Sequence, residues 1–162
     1  MDPNINPILE ICVVETDRTG RILRAFSSKC APGTKTVDPE AAKVNGYTPE
    51  KWAGAPCYWD VEKMINRKFG QAEKYQPAGW NIWFDLGFWK EYLTQSEVKF
   101  DHHAFDILSA ALIAIPGFSG RLSLSKAYLH FTGFDMPGAH TAEGDVFGMI
   151  ELYKALLERA RK

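Results

Sequence analysis

Residues 8–27 read ILEICVVETDRTGRILRAFS, a pattern that predicts two antiparallel strands. Ile8 to Val14 is a mostly apolar run, and Ile22 to Ser27 is a second one. Between them, Thr16 to Gly20 supplies the glycine and small polar residues that suit a hairpin turn. The hairpin is therefore the expected start of a sheet.

Helix start signals follow the hairpin. Asp38-Pro39-Glu40 combines an N-cap residue, a proline at the first helical position and an acid in the first turn. It predicts a short helix that ends at Gly46. Thr48-Pro49-Glu50 repeats the signal and predicts a second helix start. From Asp60 onward, apolar residues at helical spacing predict an amphipathic helix lying on a sheet.

The second half of the chain alternates between extended and helical patterns. The predicted elements are an extended piece at Pro77 to Ile82, a helix at Phe84 to Leu93, an extended piece at His102 to Asp106, a helix at Ile107 to Ile115, a helix capped by Ser123 or Ser125 and ending at Gly133, and a long helix from Ala142. A hairpin followed by helix-linked strands predicts a mixed sheet with helices on both faces, an α/β architecture in a single domain over residues 1–162.

Composition narrows the class of protein. The chain has 162 residues, 46% of them apolar, and 19 basic against 20 acidic residues give a net charge of −1, which excludes binding to nucleic acid by bulk charge alone. The longest apolar stretch, Ile107 to Phe118, is shorter than the roughly 20 residues that cross a bilayer. The acidic start of the chain is unlike a secretion signal, and the three cysteines cannot all pair within one molecule. We therefore expect a cytoplasmic protein without a membrane partner.

Two segments carry candidate functional residues. In residues 79–88, Asp85 stands at the start of a helix just after a strand, from which an acid can project toward a cation; the alternative is that Asp85 caps the helix. In residues 139–145, His140 and Asp145 are five residues apart, about 140° around a helix, so that both can reach one ion. The alternative there is a surface histidine and a first-turn acid. Gly144 and Gly148 leave a groove in which another backbone can approach closely.

His102 and His103 are a further candidate pair of metal ligands. They fall in the predicted strand from His102 to Asp106. Adjacent residues of a strand point to opposite faces, so the sequence favours no shared metal ion at this pair.

The two segments resemble motifs of the DEDDh, or DnaQ-like, family of 3′–5′ exonucleases, which have a ribonuclease-H-like fold. Trp80-Asn81-Ile82-Trp83-Phe84-Asp85 resembles the family's H-N-x-x-F-D motif, and His140 to Asp145 resembles its H-x-x-x-x-D motif. Val37 to Thr48 resembles the segment that follows the family's hairpin, and Ile8 to Ile11 resembles its second strand. The four matches occur in the family's order and cover nearly the whole chain.

The sequence also departs from the family pattern. Trp80 and Asn45 stand where the family usually has histidine. The family's first strand, which ends in D-x-E, is missing, and Glu15-Thr16-Asp17 lies after the second strand, where it predicts a turn. Glu10 falls within the second strand and does not replace these acids. Because the missing strand is the middle of the family's sheet, its loss is expected to leave two interior edges with unpaired backbone groups.

The resemblance implies a metal-dependent nuclease. It assigns Asp85 and Asp145 as ligands of two divalent cations, Mg²⁺ or Mn²⁺, His140 as general base, and Asn45, Gly46, Trp80 and Asn81 as neighbours of the substrate. The expected reaction is release of mononucleotides from the single-stranded 3′ end of DNA or RNA, as in DNA proofreading beside a polymerase. Without the D-x-E acids, the chain alone is expected to be a poor catalyst. Three explanations stay open: a truncated enzyme, an inactive module that binds nucleic acid or a polymerase, and a strand supplied by another chain. The oligomeric state is open as well.

Overall fold

The computed structural model describes residues 2–72, 74–115 and 120–161. These residues form both helices and strands, which confirms the α/β class. The elements, in chain order, are β1 (Glu10–Thr16), β2 (Ile22–Lys29), α1 (Pro39–Asn45), α2 (Tyr58–Phe69), β3 (Ala78–Gly79), α3 (Ile82–Tyr92), β4 (Phe105–Asp106), α4 (Ile107–Ala114), α5 (Leu124–Thr132) and α6 (Ala142–Ala160).

The predicted hairpin is confirmed. β1 and β2 pair antiparallel, from Glu10 opposite Lys29 to Thr16 opposite Ile22. The Asp17 carboxylate accepts hydrogen bonds from the backbone N–H groups of Thr19, at 2.9 Å, and Arg21, at 3.1 Å, and so holds the turn closed.

The two helix start signals that follow have different outcomes. The Asp38 side chain accepts the Ala41 N–H at 2.9 Å and α1 ends at a left-handed Gly46 with φ 69°, so this prediction is confirmed. The helix start predicted at Thr48-Pro49-Glu50 is wrong, because residues 49–54 form turns. Gly54 takes a left-handed φ of 77° and Pro56 follows two residues later, which leaves no room for a helix.

The strands do not form the single mixed sheet that the sequence predicts. Across the described ranges, β1 pairs only with β2, and β3 pairs only with β4. β3 and β4 are parallel and very short, with Ala78 opposite Phe105 and Gly79 opposite Asp106. The strand expected from His102 therefore begins only at Phe105. The hairpin and the parallel pair are separate two-stranded sheets.

Two apolar clusters hold the helices on these strands. The first packs the hairpin, with Ile11 and Val13, against α2 and α3, and its most buried members include Ile65 and Phe69. The second joins α4, α5 and α6, and Leu152 of α6 is completely buried in it. Helix α6 also contacts β1. The starts of α3 and α6 thereby face the hairpin.

The helices and the cysteines bear on membrane insertion and on disulfide bonding. No helix of the described residues is long and apolar enough to span a bilayer. Cys12, Cys30 and Cys57 are all free thiols.

Candidate functional site

A cavity of about 470 Å³ lies between β1, α1 and the starts of α3 and α6; we call it the site cavity. Asp85, His140 and Asp145 all line it. Three residues that span 60 positions of the sequence are thus brought to one cavity.

The start of α3 positions Asp85. Asn81 precedes the helix in a left-handed conformation with φ 56°, which is uncommon for a residue other than glycine. Its backbone N–H donates to the Asp106 carboxylate at 2.8 Å, and Ser109 Oγ donates to the other oxygen of that carboxylate at 2.7 Å. The N-cap position belongs to Asn81, so the alternative that Asp85 caps the helix is wrong. Asp106, which sequence reasoning missed, fixes the entry into α3.

The start of α6 positions His140 and Asp145. His140 lies before the helix, not in its first turn, and has a left-handed φ of 72°. Its backbone N–H donates to Asp145 Oδ1 at 3.1 Å, while Thr141 caps the helix by accepting the Gly144 N–H at 3.0 Å. The argument from a helical angle of about 140° is therefore wrong, because a turn held by the Asp145 carboxylate brings the two residues together instead.

The predicted close approach of another backbone occurs at Gly144. A Cβ atom built there would overlap the backbone of Gly138, in the loop that leads to His140. Gly148, one turn further on, faces the side chain of Met136 rather than a backbone. The absence of a side chain at Gly144 is what lets the 138–140 loop lie against α6.

The site cavity changes the proton affinity of both aspartates. Solvent reaches Asp85, but its carboxylate lies in a concave surface where protein displaces part of its hydration. This burial, together with the nearby charge of Asp145, raises the pKa of Asp85 to about 6. Burial also raises the pKa of Asp145, although the hydrogen bond from His140 N–H opposes the shift. The raised pKa values show that two negative charges are unfavourable in this cavity without a counter-charge. A bound cation would stabilise both carboxylates.

Glu10 is a third acid of the site cavity, and sequence reasoning assigned it only to a strand. Its Oε2 accepts the backbone N–H of Ala142 at 3.0 Å, at the N-terminus of α6. No local sequence pattern predicts this hydrogen bond, because the two residues are 132 positions apart.

Cys12 also lines the site cavity. Burial and the charge of Glu143 raise the pKa of its thiol to about 11. The thiol therefore stays protonated at neutral pH, which argues against a cysteine nucleophile at this site.

The outer edge of β1 opens onto the site cavity. Cys30 N–H donates to Leu9 O at 2.7 Å, so the backbone groups of alternate residues, Glu10 and Cys12, point away from β2. Within the described part of the chain, these outward N–H and C=O groups have no protein hydrogen-bond partner. An open strand edge therefore borders the cavity.

The four residues expected near the substrate occupy different places. Asn45 and Trp80 line the site cavity, and Asn45 Oδ1 accepts the Tyr47 N–H at 3.0 Å. Gly46 ends α1, and Asn81 holds the start of α3. The lining found among the described residues includes neither Gly46 nor Asn81.

The acids of the site cavity suit one hard cation better than two. Mg²⁺ prefers oxygen ligands and is commonly held by one or two carboxylates and several waters. Asp85 and Asp145 can supply the two carboxylates. In the searched residues, however, Glu10, Asp85, His140 and Asp145 do not include three ligand atoms within 4.8 Å of one another. A pair of cations would need further carboxylates.

Asparagine in place of Asp85 is expected to stabilise the metal-free protein at pH 7.5 more than at pH 4. The pKa of Asp85 rises from 3.8 to about 6, so the folded state binds more protons than the unfolded state between these values. The free energy of unfolding therefore falls as the pH rises through this interval, and Asp85→Asn removes that fall. We expect its gain in Tm to be about 1–3 °C larger at pH 7.5 than at pH 4, measured in EDTA.

Asp135→Asn, at an exposed position between α5 and α6, is the matched control. Its change in Tm should be equal at the two pH values. An equal change for Asp85→Asn would contradict the raised pKa.

Comparison of the sequence with models of known protein families and with curated proteins found no match.

Proposed function

We propose that this chain carries the Asp85–His140–Asp145 part of a DEDDh-type 3′–5′ exonuclease site on a ribonuclease-H-like fold. The observation that supports the proposal most directly is that Asp85 of one family motif and His140 and Asp145 of another line one cavity. The left-handed backbone at Asn81 and His140 adds to it, because strained residues cluster where a site demands a fixed geometry.

In the proposed reaction, water attacks the terminal phosphodiester and the bond from phosphorus to the 3′ oxygen of the preceding nucleotide breaks. His140 takes the proton from the attacking water. Asp85 and Asp145 would hold Mg²⁺ or Mn²⁺, which would supply positive charge beside the phosphate. Asn45 and Trp80 contact the last nucleotides of the single strand, where an indole offers a stacking surface for a base. The product is a mononucleotide.

The D-x-E acids would enter on an extended segment beside the open edge of β1. Such a segment would pair with the outward backbone groups of Glu10 and Cys12 and bring its own carboxylates to Asp85 and Asp145. Without it, we expect slow metal-dependent cleavage. The three free thiols favour a reducing compartment, such as the cytoplasm.

A nuclease assay tests this function. Single-stranded DNA and RNA oligonucleotides with a labelled 3′-terminal nucleotide are incubated with the protein and Mn²⁺, and release of labelled mononucleotide is measured. We expect release that is abolished by EDTA and by Asp145→Ala. Asp145→Asn is the sharper variant, because its amide oxygen can still accept the His140 N–H while its charge is lost. A 5′-labelled strand that shortens one nucleotide at a time establishes the polarity.

The alternative is an inactive module that binds nucleic acid or a polymerase. The observation that favours it is that, in the searched residues, the acids and histidine of the site cavity do not bring three ligand atoms within 4.8 Å of one another. Fluorescence anisotropy of the same oligonucleotides separates the two: binding without release of nucleotides supports the module. A protein that neither binds the oligonucleotides nor releases nucleotides from them would contradict a nuclease-like role.

A further inference from the structure

A second group of metal-ligand side chains lies outside the site cavity, on residues 101–104, which we call the 101–104 loop. The loop is held at both ends by parallel backbone pairing. On one side Tyr75 N–H donates to Lys99 O at 2.8 Å and Asp101 N–H donates to Tyr75 O at 2.7 Å. On the other, Phe105 N–H donates to Pro77 O at 2.8 Å. A short loop fixed in this way presents its side chains in a restricted set of positions.

The loop turns His102 and His103 toward the same side, contrary to the expectation from a strand. Their ring centroids are 3.8 Å apart. Asp101 Oδ1 lies 3.3 Å from His102 Nδ1 and 3.1 Å from His103 Nδ1. The sequence argument against a shared ion is wrong here, because it assumed alternating strand geometry and these residues precede β4.

The distances match those between ligands of one metal ion. Bonds of about 2.0–2.2 Å from Zn²⁺ to nitrogen or oxygen place two tetrahedral ligands about 3.3 Å apart. Of the residues searched, this is the group whose three ligand atoms lie within 4.8 Å of one another. The His103 backbone N–H donates to Asp101 Oδ1 at 2.9 Å and orients the carboxylate between the two rings.

We propose that Asp101, His102 and His103 bind a divalent transition-metal ion, Zn²⁺, through Oδ1 and the two Nδ1 atoms. Imidazole is a preferred ligand of zinc and a poor one for magnesium, so this site differs in metal preference from the acids of the site cavity. The side chains of His102 and His103 are 79% and 73% exposed, so an ion enters without movement of the fold.

Three protein ligands leave a fourth position for water or a small anion. A cavity of about 340 Å³, lined by Lys74, Tyr75, Gln76, Asp101 and His103, adjoins the loop. Lys74 contributes a positive charge to the lining of that cavity. A site with three ligands and an open position is the arrangement of catalytic rather than structural zinc.

Isothermal titration of the untagged 162-residue chain with ZnCl₂, after treatment with EDTA and its removal, tests the proposal. We expect a site whose affinity for Zn²⁺ falls about tenfold or more in His103→Ala and in His102→Ala. His130→Ala, which removes an exposed histidine of α5, is the matched control and should bind Zn²⁺ as the unaltered protein does. Asp145→Asn should also leave the affinity unchanged, which separates this site from the site cavity and from the proposed nuclease.

Cobalt provides a second readout. Co²⁺ bound through the two imidazoles should give visible absorption bands that His103→Ala loses. The proposal is overturned if the protein binds no Zn²⁺, if His103→Ala binds it with unchanged affinity, or if His130→Ala weakens binding as much. The close contacts of Asp101 would then be hydrogen bonds to the two rings and nothing more.

Discussion

Alanine at position 144 is expected to lower the Tm by about 6–12 °C. The added Cβ overlaps the backbone of Gly138, which cannot move as a flexible side chain can, so either the 138–140 loop or the start of α6 must shift. Overpacking typically costs about 1–3 kcal/mol, and a clash with backbone atoms lies at the upper end of that range. A cost of about 3 kcal/mol, at about 2–4 °C for each kcal/mol in a chain of this size, gives the expected fall in Tm. Thermal unfolding followed by circular dichroism measures the effect.

Alanine at position 148 is the matched control. It lies on the same helix one turn further on, and a Cβ there meets only the side chain of Met136, which can adopt another rotamer. Alanine also favours a helix over glycine by up to about 1 kcal/mol. The Tm of Gly148→Ala should therefore stay within about 3 °C of that of the unaltered protein. Equal losses in the two variants would contradict the close packing of Gly138 on α6.

Local sequence signals were sufficient where the structure depends on neighbouring residues. The turn at Asp17 and the caps at Asp38 and Ser123 all depend on hydrogen bonds over at most four positions, and each lies where the sequence predicts it. Thr48 shows the limit of such signals. Its side chain accepts the Lys51 N–H at 3.2 Å as a cap would, but the chain turns away because Pro56 follows too soon.

The candidate site depended on contacts that no local pattern encodes. Motif spacing selected Asp85, His140 and Asp145, but not the bond from Ala142 N–H to Glu10 or the bond from Asn81 N–H to Asp106. Both join segments that are far apart in the chain. The convergence of His102 and His103 was not predicted for a related reason: whether adjacent histidines diverge or converge depends on backbone pairing with residues near Tyr75.

The open edge of β1 connects the fold to the proposed chemistry. The sequence predicts that loss of an interior strand leaves unpaired backbone groups, and the outward groups of Glu10 and Cys12 border the cavity that holds Asp85 and Asp145. In the proposed exonuclease, a strand placed there would satisfy these backbone groups and would bring the D-x-E acids to Asp85 and Asp145.

Asparagine in place of His140 is expected to lower the rate of 3′-nucleotide release by about 10²–10⁴-fold, the usual contribution of a general base. Asparagine tolerates the left-handed backbone that His140 adopts, with φ 72°, and retains the N–H that donates to Asp145, so the Tm should be nearly unchanged. The rate is measured with the 3′-labelled oligonucleotide and Mn²⁺. His130→Asn is the control and should keep the full rate. In His140→Gly, which leaves the position of the ring empty, added imidazole should restore part of the activity. A His140→Asn protein that cleaves at the original rate would show that another group takes the proton, and His140 would then be a residue that only shapes the turn before α6.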